Sequence, residues 1–306
     1  MEEKIIVNKG GAFPLNGALT IPDGGNAPYP AVVFVHGSGS SDMDSKVYSV
    51  RPFKDFAEGL AKHNIASIRY DKRTFVYPKS WKPDNTVKEE TIDDAIAATE
   101  ILRNDPRIDP NRIYIAGLSM GGLLAPRIDE EGGNYAGLII LAGTPRRLED
   151  VMKAQITEQM KGSNGLIKWV LKKQTKKMYP VFDRLYEMSD KEARKTPALG
   201  KNIMAIYLKD MGKRRVSEYL ATNTKPILVM QGDGDFHVSV EEDFNEYKRI
   251  LQNHPDATFK LYLGINHVFM PTVTGDIKKV KQEYSKPQNV EPYVMADIAE
   301  WIHQHE

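Results

Sequence analysis

Six short apolar runs constrain this chain more than any other feature: AVVFVHG (31–37), IASIRYD (65–71), IYIAGLS (113–119), GLIILAG (137–143), PILVMQG (226–232) and FKLYLG (259–264). Most are rich in β-branched residues and end in glycine or a polar cluster, the pattern of strands buried on both faces. Helix-length segments lie between them. RPFKDFAEGLAKHN (51–64) spaces Phe53, Phe56, Ala57, Leu60 and Ala61 along one helical face, and TIDDAIAATEILRND (91–105) does the same with Ile92, Ala95, Ile96, Thr99 and Leu102. Thr91, with Asp94 three residues on, resembles a capping box at the start of the second helix. Strands that alternate with helices predict βαβ units and a mostly parallel central sheet flanked by helices, an α/β fold. The opening, with IIV at 5–7 and LNGALTIP at 15–22, predicts a hairpin leading into that sheet.

The alternation breaks once. Between Gly143 and Pro226 about 80 residues offer no strand and are helical, basic and rich in Met and aromatic side chains. The expected organisation is a core domain formed by 1–143 and 226–306, carrying an inserted helical lid over 144–225. Within it, LIKWVLKKQTKKM has the make-up of a membrane-surface helix. The return of acidic residues at Asp183, Glu187 and Asp190 favours an insert folded over the sheet, with its lysines in solvent.

With 306 residues, 41% of them hydrophobic, the chain can bury one large core plus such an insert. Its 42 basic and 41 acidic side chains leave a net charge of +1, so nothing draws it to nucleic acid. No cysteine is present, which removes disulfides, thiolate metal sites and a cysteine nucleophile. No segment has about 18 consecutive apolar residues, and MEEKIIVNKGG lacks the apolar stretch of a signal peptide, so we expect a soluble cytoplasmic protein with no membrane span. A homodimer is left open.

GLSMG (117–121) fits Gly-x-Ser-x-Gly where a strand hands over to a helix. A serine in such a strained turn projects its oxygen above the sheet, and side chains two positions away on either side would meet neighbouring backbone. The helix that follows directs its N–H groups toward that oxygen. On its own the pattern is weak, so its partners matter. A serine hydroxyl needs an imidazole to take its proton, and the imidazole needs an acid to fix its tautomer. PILVMQGDGDFHV places Asp233 and Asp235 just past one strand, and FKLYLGINHVF places His267 just past the next. This is the order Ser, acid, His expected on a strand–helix scaffold. Asp235 is preferred as the acid because Asp233, directly after the strand glycine, is placed to brace the turn. His63 and His254 end helical segments, His303 and His305 lie in the tail, and His237 reads as a pocket-edge residue.

A tetrahedral intermediate also needs oxyanion donors. The backbone N–H of Met120, after the nucleophile, is one; the loop VFVHGSGSSD (33–42) supplies the other, the N–H of Ser38. His36 is expected to brace this loop at the edge of the substrate pocket.

HGSGSSD, RPFKDFAEGLAKHNIASIRYDKR, GLSMGG, QGDGDFHV and GINHVF together resemble an α/β-hydrolase. The likeness is strongest to bacterial carboxylesterases of the serine aminopeptidase and dienelactone hydrolase-related branch, which includes cinnamoyl (feruloyl) esterases. It runs from about residue 10 to the final helix and is weakest over 144–225, where such enzymes carry a variable lid. The resemblance implies Ser119 as nucleophile, Asp235 as acid, His267 as base, and Ser38 and Met120 as oxyanion donors. It implies hydrolysis of a small-molecule ester without metal or cofactor. The acid loop of these esterases has Tyr or Pro after the aspartate; Phe236 departs from that and alters the pocket wall. Trp169, Met178, Tyr179, Phe182 and Met204 of the insert are candidates to line an apolar acyl or aryl pocket. Asp71, Lys72 and Arg73 are expected to form a structural ion-pair network.

Peptide or thioester cleavage would use the same constellation, and a non-catalytic ligand-binding protein could share the scaffold. A nucleotide site is disfavoured, because GLSMGG has neither Gly-x-Gly nor Gly-Lys-Ser/Thr.

Overall fold

The computed structural model describes residues 1–161 and 163–305. Each apolar run becomes a strand: β3 (Tyr29–Val35), β4 (Ala66–Tyr70), β5 (Ile108–Leu118), β6 (Gly137–Leu141), β9 (Ile227–Gly232) and β10 (Ala257–Tyr262). The opening forms the antiparallel hairpin β1 (Glu2–Val7) and β2 (Leu15–Thr20). These eight strands make one sheet in the order β1-β2-β4-β3-β5-β6-β9-β10. Pairing is antiparallel from β1 to β4 and parallel from there to β10.

The helices are α1 (Pro52–Ala61), α2 (Arg73–Val76), α3 (Asp93–Arg103), α4 (Met120–Ile128), α5 (Leu148–Met160), α6 (Gly165–Asp183), α7 (Asp190–Ala193), α8 (Ala205–Gly212), α9 (Val216–Leu220), α10 (Asn245–Ile250), α11 (Val280–Tyr284) and α12 (Pro292–Gln304). They cover both faces of the sheet and so divide the core in two. Val33, Val35, Ile115 and Ile140 point to the side of α3 and α4, while Val32, Phe34, Ala116 and Ile139 point to that of α1 and α12. Strand alternation sends neighbouring residues to opposite faces, and both faces are dry, which is why these strands read as unbroken apolar runs.

Two local expectations differ from the structure. Thr91 does not cap α3. It lies inside a π-helical turn, Lys88–Ile92, that leads into the helix, and its Oγ1 has no hydrogen-bond partner among the described residues. The reciprocal arrangement sits five residues earlier, where the Thr86 N–H donates to Glu89 Oε2 at 2.8 Å. Between β6 and β9 the chain is helical from α5 to α9, yet it also forms a small antiparallel sheet from β7 (Pro197–Leu199) and β8 (Ile203–Met204). Strands of two and three residues are too short to show a periodicity in sequence. No helix among the described residues is long and apolar enough to cross a membrane.

Candidate active site

Parallel strands bring their C-terminal ends to one edge of the sheet, and every candidate catalytic residue leaves the sheet there. β5 ends at Leu118, and Ser119 follows with φ 56° and ψ −115°, a conformation an L-residue seldom adopts. The turn closes because its neighbours have no side chain: a Cβ on Gly117 would come to 2.2 Å from Gly121 C, and one on Gly121 to 2.2 Å from Val35 O. α4 starts immediately after, so its first N–H groups face the serine.

Past β9, Asp233 Oδ1 accepts the Gly264 N–H at 2.6 Å and ties the β9 turn to the β10 turn. Asp235 has a different set of partners. Its Oδ1 accepts the N–H groups of His237 at 2.7 Å and Val238 at 3.1 Å, and its Oδ2 lies 2.7 Å from His267 Nδ1. A carboxylate can only accept, so Nδ1 carries the proton and Nε2 is left as an acceptor. The Asp235 side chain is fully shielded from solvent and that of His267 nearly so. The His267 loop is anchored from beneath by Asn266, whose Oδ1 accepts the N–H groups of Val268 and Met270 and whose Nδ2 donates to Glu283 Oε1 at 3.0 Å. Burial opposes ionisation of Glu283, but hydrogen bonds from Asn266, Val273 and Thr274 outweigh it and hold the carboxyl below its ordinary range.

Ser119 and His267 line one cavity of about 710 Å³, together with Ser38 and Met120. Among the described residues neither the Ser38 nor the Met120 N–H has an acceptor within the protein.

The sequence pattern described as serine aminopeptidase, S33, matches residues 26–271 of the chain. The chain belongs to this family of α/β-hydrolases. It is 33% identical to Esterase EstD of Thermotoga maritima over 301 residues, covering 98% of this chain and 67% of that protein. A putative esterase, NocK of Nocardia uniformis, is 26% identical over 145 residues, 46% of this chain and 40% of that one. Among solved structures, Est1E from Butyrivibrio proteoclasticus superposes with a TM-score of 0.59 at 16% identity, covering 99% of this chain and 98% of its own. The Pyrococcus furiosus esterase Pf2001 gives 0.59 at 17% identity, covering 99% and 91%.

The cavity wall of this α/β-hydrolase differs from the expected one. Trp169, Met178, Tyr179, Phe182 and Met204 do not line it. Met178 and Phe182, one turn apart on α6, are buried within the insert's own packing. Trp169 precedes Met178 by nine residues, two and a half turns, so it emerges on the opposite face and is 59% exposed. Tyr179 packs beside Phe182, with Lys153 Nζ 5.7 Å from its ring centre. Met204 faces away because Ile203, its neighbour on β8, takes the cavity side. His36 is also absent from the wall: it lies under the loop, with Nε2 2.6 Å from Tyr70 O and its ring against Phe53 and Tyr70. Phe236 sits one layer back, behind His237 and Tyr284.

The wall is built instead from Trp81, Met152, Leu199, Ile203, Tyr207 and Tyr284, among others. Trp81 and Tyr207 meet edge to face, ring centres 6.3 Å apart. His237 lies on the edge as expected, its ring 4.8 Å from that of His267; burial, and then the neighbouring imidazole, push it down to about 4. One signal pointed to Trp81. The connection between the run at 65–71 and the helix at 91–105 is about 20 residues, longer than most strand-to-helix loops, and it leaves the sheet on the ligand-binding edge.

Of the RYDKR residues, Arg73 pairs with Asp94 at 2.5 Å and Asp71 accepts the Met43 N–H at 2.8 Å. Lys72 goes elsewhere. Its ammonium donates to Gly37 O at 2.9 Å and Gly39 O at 3.0 Å, and lies 3.2 Å from Glu90 Oε1.

Proposed function

We propose that this chain is a serine carboxylesterase that cleaves small esters with short-to-medium acyl or aryl-acyl groups through an acyl-enzyme. The observation that carries the reading is the Asp235–His267 hydrogen bond, which leaves an accepting Nε2 on the same cavity as the strained Ser119.

In this mechanism Ser119 Oγ attacks the ester carbonyl while His267 Nε2 takes its proton, and Asp235 stabilises the imidazolium that results. The N–H groups of Ser38 and Met120 receive the negative charge on the carbonyl oxygen. The tetrahedral intermediate collapses, the alcohol leaves with the proton from Nε2, and the acyl group stays on Ser119. Water then attacks the acyl-enzyme with His267 again as base, releasing the acid and free serine. The helical segment 144–225 acts as the lid: Leu148, Val151, Met152, Leu199, Ile203 and Tyr207 roof the cavity with apolar surface suited to an acyl or aryl group.

An ester is favoured over a peptide with a free amino terminus by one detail. Among the described residues Glu90 is the only acidic one on the wall, and its carboxylate already accepts from Tyr207 and pairs with Lys72. An α-ammonium group would find no unpaired carboxylate there among the described residues. A panel of nitrophenyl esters, acyl-thioesters and aminoacyl amides tests this: the esters should give the highest kcat/KM, and faster turnover of the amides would reject the assignment.

A further inference from the structure

Lys72 is buried, 2% exposed, and the mechanism above does not use it. A buried ammonium is expensive unless all its protons are taken. Here the ammonium donates to Gly37 O and Gly39 O, and its charge is balanced by Glu90 Oε1 at 3.2 Å. The two carbonyls belong to the loop that carries Ser38.

The geometry of the peptide group makes this contact specific. The Gly37–Ser38 bond is trans, the one cis peptide among the described residues being Ala27–Pro28. A trans peptide is planar, and its C=O and N–H point in opposite directions. When Lys72 draws Gly37 O inward at 2.9 Å, the N–H of the same unit is turned outward, to the cavity that Ser38 lines. The positive charge on the carbonyl also polarises the unit and makes that N–H a stronger donor. The bond to Gly39 O secures the loop on the far side of Ser38, where Gly39 bends at φ +86°.

The contact continues away from the loop. Glu90 Oε1 also accepts the Thr74 hydroxyl at 3.4 Å, and Oε2 accepts the hydroxyl of Tyr207, which sits on α8 in the insert. A continuous path of hydrogen bonds and one ion pair thus runs from the roof of the cavity through Glu90 and Lys72 to the Gly37–Ser38 peptide.

We propose that Lys72 is a positioning residue of the oxyanion hole, aiming and polarising the Ser38 N–H through the Gly37 carbonyl, with Glu90 and Tyr207 holding its ammonium in place. The proposal rests on the reading of Ser38 as an oxyanion donor. Nothing in it requires Lys72 to touch substrate; its effect appears only when negative charge reaches the carbonyl oxygen.

The test compares wild type with Lys72→Met and with the double variant Lys72→Met/Glu90→Gln, which avoids stranding a buried carboxylate. Kinetics on p-nitrophenyl acetate and the inhibition constant of phenylboronic acid, whose tetrahedral adduct places an oxyanion in the hole, are measured beside the thermal midpoint. We expect kcat to fall on the order of 100-fold with KM unchanged, and boronate affinity to fall with it, in protein that is still folded. Folded variants with unchanged kcat and boronate affinity overturn the proposal, as does a rise in KM at constant kcat. A double variant that does not fold assigns Lys72 to chain stability and overturns it too. The serine-esterase reading fails on a separate result, retained turnover in Ser119→Ala, so the two failures are distinguishable.

Discussion

Asp235 divides its carboxylate between its own loop and His267: Oδ1 takes the His237 and Val238 N–H groups, and Oδ2 stands 2.7 Å from His267 Nδ1. The loop bonds set the direction of the carboxylate, and the carboxylate sets the tautomer of the imidazole. Asp235→Asn separates these two tasks. The amide oxygen still accepts from the loop, but the NH2 group now faces Nδ1 and donates, so the ring proton moves to Nε2 and the base is lost. The thermal midpoint should stay close to wild type while kcat falls on the order of 10³- to 10⁴-fold. Full activity in Asp235→Asn would mean that the tautomer does not matter.

The backbone at Ser119 makes a second prediction. A non-glycine residue at φ 56°, ψ −115° carries strain of about 1–3 kcal/mol. Ser119→Gly releases it, whereas Ser119→Ala keeps the Cβ and the strain. The added freedom of glycine in the unfolded chain offsets only about 0.4–1 kcal/mol. Calorimetry should therefore find the Gly variant melting above the Ala variant, with both inactive. A Gly variant that melts lower would place the strain elsewhere.

His36 supplies a pH dependence. Burial, helped by the Lys72 ammonium and opposed by the Tyr70 carbonyl, pushes its imidazole down from 6.5 to about 4. The unfolded chain thus takes up a proton near 6.5 that the folded chain refuses until about 4. Between those values the unfolded state binds more protons, so stability falls as the pH drops through this window, by an amount on the order of 3 kcal/mol once below it. His36→Gln keeps a donor for Tyr70 O and removes the titration. Its thermal midpoint should decline less than that of wild type from pH 6.5 to 4, with part of the slope remaining because His237 is pushed to about 4 as well. Parallel curves would show that His36 is protonated in the fold.

The sheet was legible in the sequence because strands buried on both faces leave unbroken apolar runs, and the turn after β5 was legible because close backbone approach leaves only glycine at 117 and 121. The candidate acid and base, Asp235 and His267, were legible as polar residues just past strand ends. The cavity wall was not. Helical phase decides that Trp169 faces solvent while Met178 is buried, and strand alternation decides Ile203 over Met204; both depend on how the insert seats on the core. The sequence places Lys72 in an ion-pair network, and it does pair with Glu90. Its other partners are backbone carbonyls more than 30 residues away, and a carbonyl leaves no mark in the sequence.

The central claim, that Ser119 is the nucleophile, is tested most directly by intact mass spectrometry after reaction with a fluorophosphonate, with the adduct located by peptide mapping. One adduct per chain on Ser119, loss of esterase activity in proportion to labelling, and neither labelling nor turnover in folded Ser119→Ala are the predicted results. Turnover of p-nitrophenyl acetate by Ser119→Ala at the wild-type rate, or an adduct on another residue that accompanies inactivation, would contradict the account.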